Sequence, residues 1–168
     1  MRKFLLLPVA AMLLAGCAGY HLGPVKPTYL KHVTTIAVPS FKNDTLIPRL
    51  EVMLANSVIK QLQQDGTYQV GTMEDSDAIL EGTILSIERQ PARSLVGNVL
   101  ATTEFNLDMR VEYTLTDRNT GKVLAKRQVV GSTSFFVGGD VQQDEQQALP
   151  LAAEKAAVQI VSYVSEGW

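Results

Sequence analysis

From Glu104 to Thr116 the chain alternates without a fault. Phe105, Leu107, Met109, Val111, Tyr113 and Leu115 are apolar, and Glu104, Asn106, Asp108, Arg110, Glu112, Thr114 and Thr116 between them are polar. Successive side chains of a strand point to opposite faces, so this run dictates a strand with one dry face and one wet face. A sheet built on such a strand needs a single covering layer. Asp117-Arg118-Asn119-Thr120-Gly121 is turn chemistry, and Lys122 to Thr133 is predicted to return as an antiparallel partner.

The covering layer is legible on both sides of that hairpin. Leu50, Met53, Leu54, Ser57, Val58 and Leu62 recur at three-four spacing, after Pro48 at an early helical position and before the Asp65-Gly66 stop. Past Gly138-Gly139-Asp140, a second helical stripe runs through Ala152, Ala153, Ala156, Ile160, Tyr163 and Val164, with Pro150 predicting a kink or break near Leu149. Thr34 to Val38 reads as a strand stopped by Pro39, with Ser40 to Asp44 a loop. Tyr68 to Val70 and Ala78 to Glu88 read as further strands, separated by the acidic turn Glu74 to Asp77. The expected fold is an α+β two-layer sandwich: two helices packed on one face of a mostly antiparallel four- to five-stranded sheet, in one domain over residues 33–168.

Composition removes several functions. With 15 Lys and Arg against 17 Asp and Glu, a net charge of −2 offers no field for nucleic acid. One Cys and two His cannot form a disulfide or a Cys/His zinc cage. His21 and His32 have no Ser or Cys placed for activation, and Gly138-Gly139 lacks the Lys-Ser/Thr of a phosphate loop, so no catalytic residue and no cofactor is expected. Glu74, Asp75 and Asp77 lack the spacing of a calcium loop and read as a solvated turn, with no metal.

Two apolar stretches stand where loops are expected: Ser94 to Ala101, with Leu95, Val96, Val99 and Leu100, and Phe135-Phe136-Val137-Gly138-Gly139. Apolar loops mark partner sites, or fold back over the open end of a core. Around them the sequence places Arg89, Arg93, Arg118 and Lys122, cations of the kind that pair with phosphate oxygens.

The N-terminus reads as an address. Met1-Arg2-Lys3 is a positive start, and Phe4 to Ala15 is an apolar run too short to span a bilayer, as in a secretory signal over residues 1–16. Leu14-Ala15-Gly16-Cys17 resembles the lipobox of bacterial lipoproteins, in which the Cys becomes the acylated first residue. That resemblance implies a membrane anchor at Cys17, a tether over residues 17–32, and, with Ala18 in place of an Asp retention signal, the periplasmic face of an outer membrane.

Cys17-Ala18-Gly19-Tyr20-His21-Leu22, Ile36-Ala37-Val38-Pro39-Ser40-Phe41-Lys42-Asn43, Pro48-Arg49-Leu50-Glu51 and Asp77-Ala78-Ile79-Leu80-Glu81-Gly82-Thr83-Ile84 together resemble the LptE family of lipopolysaccharide-assembly lipoproteins. The resemblance implies a non-enzymatic plug and assembly factor for the LptD β-barrel. It also implies contact with lipopolysaccharide through basic residues at one end of the sandwich, for which Arg89, Arg93, Arg118 and Lys122 are the nearby cations. A different class of protein shares the outline: a periplasmic regulatory adaptor that docks an enzyme or transporter complex through the wet face around Arg110, Glu112 and Arg127.

Overall fold

A computed structural model describes residues 26–95 and 98–167, with 94–95 and 98–103 described by backbone alone. The signal segment 1–16, Cys17, the tether as far as residue 25, and Val96 lie outside the described residues.

After a short 3-10 turn at Thr28–Leu30, the elements are β1 Thr35–Ala37, β2 Lys42–Asn43, α1 Leu50–Asp65, β3 Gln69–Gly71, β4 Ala78–Leu95, β5 Asn98–Asp117, β6 Val123–Phe136 and α2 Val141–Glu166. They form one six-stranded sheet in the order β3-β1-β4-β5-β6, with β2 also on β4, and the two helices form the second layer.

The sheet is mixed, which corrects the expectation of a mostly antiparallel sheet of four to five strands. β4, β5 and β6 are antiparallel, whereas β1 is parallel to both β3 and β4, and β2 is parallel to β4. The reason lies in connectivity. β1 reaches β3 through α1, and a crossover through a helix brings strands back parallel. The Ser40 to Asp44 loop is corrected too, since Lys42 and Asn43 pair with Thr83 and Ile84, and the Asp44 amide donates to the Ile84 carbonyl at 3.0 Å.

The alternation of β5 holds. Leu107, Met109, Val111, Tyr113 and Leu115 are each at most 1% exposed, and they share one core with Leu80 and Ile84 of β4 and Val129 of β6. α1 adds Leu50, Leu54, Val58 and Leu62 to it, and ends at Gly66, whose φ of 73° is the left-handed value a C-terminal cap needs. Its start is corrected from Pro48 to Leu50. The Asn43 side chain holds the preceding turn by donating to the Ile47 carbonyl at 2.8 Å and to Glu51 at 3.0 Å, while accepting from Thr45.

α2 packs through small residues. Ala152, Ala153, Ala156 and Ala157 are fully buried, and β6 meets them with Gly131. A Cβ on Gly131 would strike the Ala152 carbonyl and lie 2.6 Å from the Ala156 nitrogen. The predicted break near Leu149 is absent: α2 runs unbroken through Pro150 for 26 residues. Pro150 and Gln146 both lie on the exposed side, so the carbonyl that proline leaves without a donor faces solvent rather than the core.

Candidate functional site

The chemistry of this surface divides between two ends of the sheet and its uncovered face. At one end the β4–β5 hairpin overhangs the rest. β6 stops where Phe136 pairs with Glu104, but β4 and β5 stay paired beyond it, from Arg93 opposite Glu104 to Leu95 opposite Asn98. The stretch containing Leu95, Val99 and Leu100 is therefore the tip of a hairpin and not the loop expected from the sequence. Register shifts between Pro91 and Leu95 break its alternation, which is why it reads as irregular.

Phe135 and Phe136 likewise belong to β6, and they part company. Phe135 is buried and stacks on Phe105 at 5.7 Å between ring centroids, closing the core, whereas Phe136 is 67% exposed. Arg89 sits on the helix side of the same end. Its guanidinium meets Glu145 of α2 at 2.6 Å and lies 5.1 Å from the Phe105 ring centre, at the wall of a cleft of about 610 Å³ that also includes Ile47, Val141 and Leu149. Arg93 lies 3.7 Å from Glu104.

Arg118 and Lys122 are elsewhere, which corrects their grouping around the apolar stretches. They sit at the β5–β6 turn, and the ten steps along β5 from Leu107, opposite Arg89, to Asp117 place that turn about 33 Å from Arg89 at about 3.3 Å per residue. The Arg118 Nε donates to the Ser76 carbonyl at 2.7 Å. Asp117 organises the turn by accepting from the Thr120 amide at 2.8 Å, the Asn119 amide at 3.0 Å and the His32 ring at 3.0 Å. The Thr120 bonds, with His32 behind them, hold its carboxyl at about 2. Asp77 is lowered in the same way by the Thr34 and Thr35 amides. The acidic turn is thus partly a structural clamp, and among the described residues no His/Cys/Asp/Glu group could hold a metal ion. The chain enters the domain at this end: Lys26 donates to the Val33 carbonyl at 2.9 Å and lies over the Tyr68 ring.

The third region is the face of the sheet away from the helices. Glu88 and Arg110 pair across β4 and β5 at 3.0 Å, and Glu112 and Lys126 across β5 and β6 at 3.1 Å. Arg110 donates to Glu88 and holds that carboxyl below its ordinary range. The face is polar and largely neutralised within itself. Sequence reading placed Arg110 and Glu112 on this face, but Arg127 is corrected: it stands opposite the buried Tyr113, and its guanidinium lies 4.7 Å from the Tyr163 ring centre of α2, on the covered side. The partners of Arg110 and Glu112 were not legible, because cross-strand pairing depends on register and not on spacing along one strand.

With the architecture in place, the sequence pattern that defines the LptE family, described as lipopolysaccharide-assembly, matches residues 33–164. The chain belongs to the LptE family. Solved structures similar to this LptE-family domain include lipoprotein B from Nitrosomonas europaea, with 16% identity, 89% of this chain and 92% of that one covered, and a TM-score of 0.56. A minor lipoprotein from Acinetobacter baumannii gives 16%, 81% and 95%, with a TM-score of 0.54. The PelC dodecamer from Paraburkholderia phytofirmans gives 15%, 83% and 93%, with a TM-score of 0.53. At these identities the likeness is one of fold. No curated protein matches the chain. Among the described residues no helix is long and apolar enough to cross a membrane.

Proposed function

We propose that this LptE-family protein is an outer-membrane lipoprotein that plugs an LptD-type β-barrel and assists its assembly for lipopolysaccharide transport. Residues 1–16 are removed, acylated Cys17 is the anchor, residues 17–32 are the tether and residues 33–168 are the working domain. The observation that carries the reading is the open sheet face, with its Glu88–Arg110 and Glu112–Lys126 pairs. The lumen of a transmembrane barrel is polar, so a plug needs a polar surface whose charges are already balanced. In this arrangement the domain enters the barrel with Leu95, Val96, Val99, Leu100 and Phe136 as apolar contacts at the hairpin end. Arg89 and Arg93 stand at the same end and are the cations proposed to meet lipopolysaccharide phosphates. Arg118 and Lys122 stand at the opposite end, near His32, and are not assigned to lipopolysaccharide. The role is one of binding and assembly, and no catalytic step is assigned.

Tagged full-length protein, extracted from outer membranes in detergent and analysed by mass spectrometry, tests this directly. Recovery of a large β-barrel at equal stoichiometry is the expected result. Recovery of a soluble periplasmic enzyme or a transporter without a barrel would replace the plug with the regulatory adaptor. Cys17→Ser tests the anchor separately, with release into the soluble periplasm expected.

A further inference from the structure

The edges of a sheet expose unpaired backbone donors and acceptors, and proteins guard them with charges, proline, shortness or a covering element. The edges here are guarded in those ways, with one exception among the described residues. β3 is three residues long. β4 pairs with β1 and β2 only at Ala78, Ile79, Thr83 and Ile84, and beyond them it carries Arg89, Pro91 and Arg93. The first half of β6 carries Lys126 and Arg127.

The middle of β6 is closed in another way. Gln159 of α2 donates from Nε2 to the Val130 carbonyl at 2.9 Å and accepts from the Val130 amide at 3.4 Å through Oε1. Its carboxamide stands where the peptide group of a seventh strand would stand. Both main-chain groups of Val130 therefore point off the sheet. Outward pointing recurs every second residue of an antiparallel strand. The β5–β6 register has no shift from Val130 opposite Arg110 to Phe136 opposite Glu104. Ser132, Ser134 and Phe136 consequently present their amides and carbonyls to the outside as well. Ser132-Thr133-Ser134-Phe135-Phe136 contains no charge and no proline.

Beside this stretch, β6 and α2 enclose a cleft of about 290 Å³ lined by Ser134, Phe135, Phe136, Gln147, Ala148 and Leu151, with Asp144 its one charged lining residue. Phe136 and Leu151 are both more than half exposed. A row of outward peptide groups flanked by a helix and an apolar cleft is the arrangement that receives an added strand.

We infer that Ser132–Phe136 binds an extended segment of a partner protein by strand addition, with alternating apolar side chains, one of them in the cleft, and a neutral or basic residue near Asp144. Gln159 terminates the paired stretch. The inference deepens the plug reading, since it rests on the domain working by docking another protein, but its test does not require a barrel.

The probe is a capped peptide of alternating Thr and Val ending in Lys, added to the full chain while amide hydrogen exchange is followed residue by residue. Exchange at Ser132, Ser134 and Phe136 is expected to slow by about tenfold or more. Ser134→Pro removes an outward N–H that β5 does not use, so it is expected to abolish the slowing with an unchanged Tm. Leu151→Lys, which leaves the strand intact, is expected to weaken binding as well. Absence of slowing at these amides, equal slowing in both variants, or slowing along the β4 edge instead would overturn the inference. Slowing that appears without peptide and grows with protein concentration would identify a second copy as the occupant and overturn the assignment to a partner. Barrel recovery is scored separately on the same variants: strand addition is judged on the peptide, and the plug on the barrel.

Discussion

On one side of β5, Leu107, Met109, Val111, Tyr113 and Leu115 are sealed beneath the helix layer. On the other, Arg110 and Glu112 hold cross-strand partners that solvent reaches. The two faces are made from adjacent residues, yet they respond to different physics. The covered face depends on volume and shape, because close-packed interiors register even one added methylene. The open face depends on charge balance, and exposed ion pairs contribute little to stability. Packing residues and paired surface charges therefore alternate along a single strand, and substitutions on the two faces should separate cleanly.

The largest expected effect is at Gly131, where α2 leaves no room for a side chain. Gly131→Leu must displace the backbone at Ala152 and Ala156 and is expected to cost about 3 kcal/mol or more, or to prevent folding. Thermal unfolding followed by circular dichroism checks this, and a Tm close to that of the unmodified protein would mean that α2 does not lie against β6. Next come the alternating residues of β5. Leu107→Ala is expected to cost about 2–5 kcal/mol in urea unfolding, whereas Asn106→Ala beside it should stay within about 0.5 kcal/mol. Equal effects at the two positions would break the comparison.

Much of the covered side was legible because its signal is periodic. The odd residues of β5 and the stripes of α1 and α2 follow spacings of two and of three to four. What escaped was carried by other signals. β1 and β2 are three and two residues long, too short to have a period, and their parallel pairing comes from the path through α1. Pro150 suggested a break because proline removes a helix hydrogen bond, but the buried alanine face keeps the helix continuous past it. The hairpin tip was hidden by register shifts after Pro91. Of the candidate site, Arg89 was visible as a cation, but its pairing with Glu145 joins residues 56 apart and nothing local encodes it. Gly131 did leave a trace, since glycine inside a strand often marks close approach of another backbone.

Smaller effects are expected on the open face. Lys126→Ala should cost at most about 1 kcal/mol, with the difference fading as salt is raised. Reversal of Arg110 and Glu112 together should leave the fold intact by circular dichroism while reducing barrel recovery, since it unbalances a face proposed to meet a polar lumen. A destabilisation comparable to Leu107→Ala would show that this face is structural after all.

The remaining effect lies at the end of β5, where Asp117 caps the β5–β6 turn. Its carboxyl lies at about 2 against an ordinary 3.8, so the native state favours the anion and the unfolded chain takes up the proton first as pH falls. The stabilisation is complete above about pH 4 and is lost as pH drops toward about 2. Asp77, also lowered, titrates in the same direction. Asp117→Asn cannot follow that titration. The variant should have the lower Tm at pH 6, and the two Tm curves should converge between about pH 4 and pH 2. A gap of constant size across that range would mean that Asp117 stabilises the turn through its shape and not through its charge.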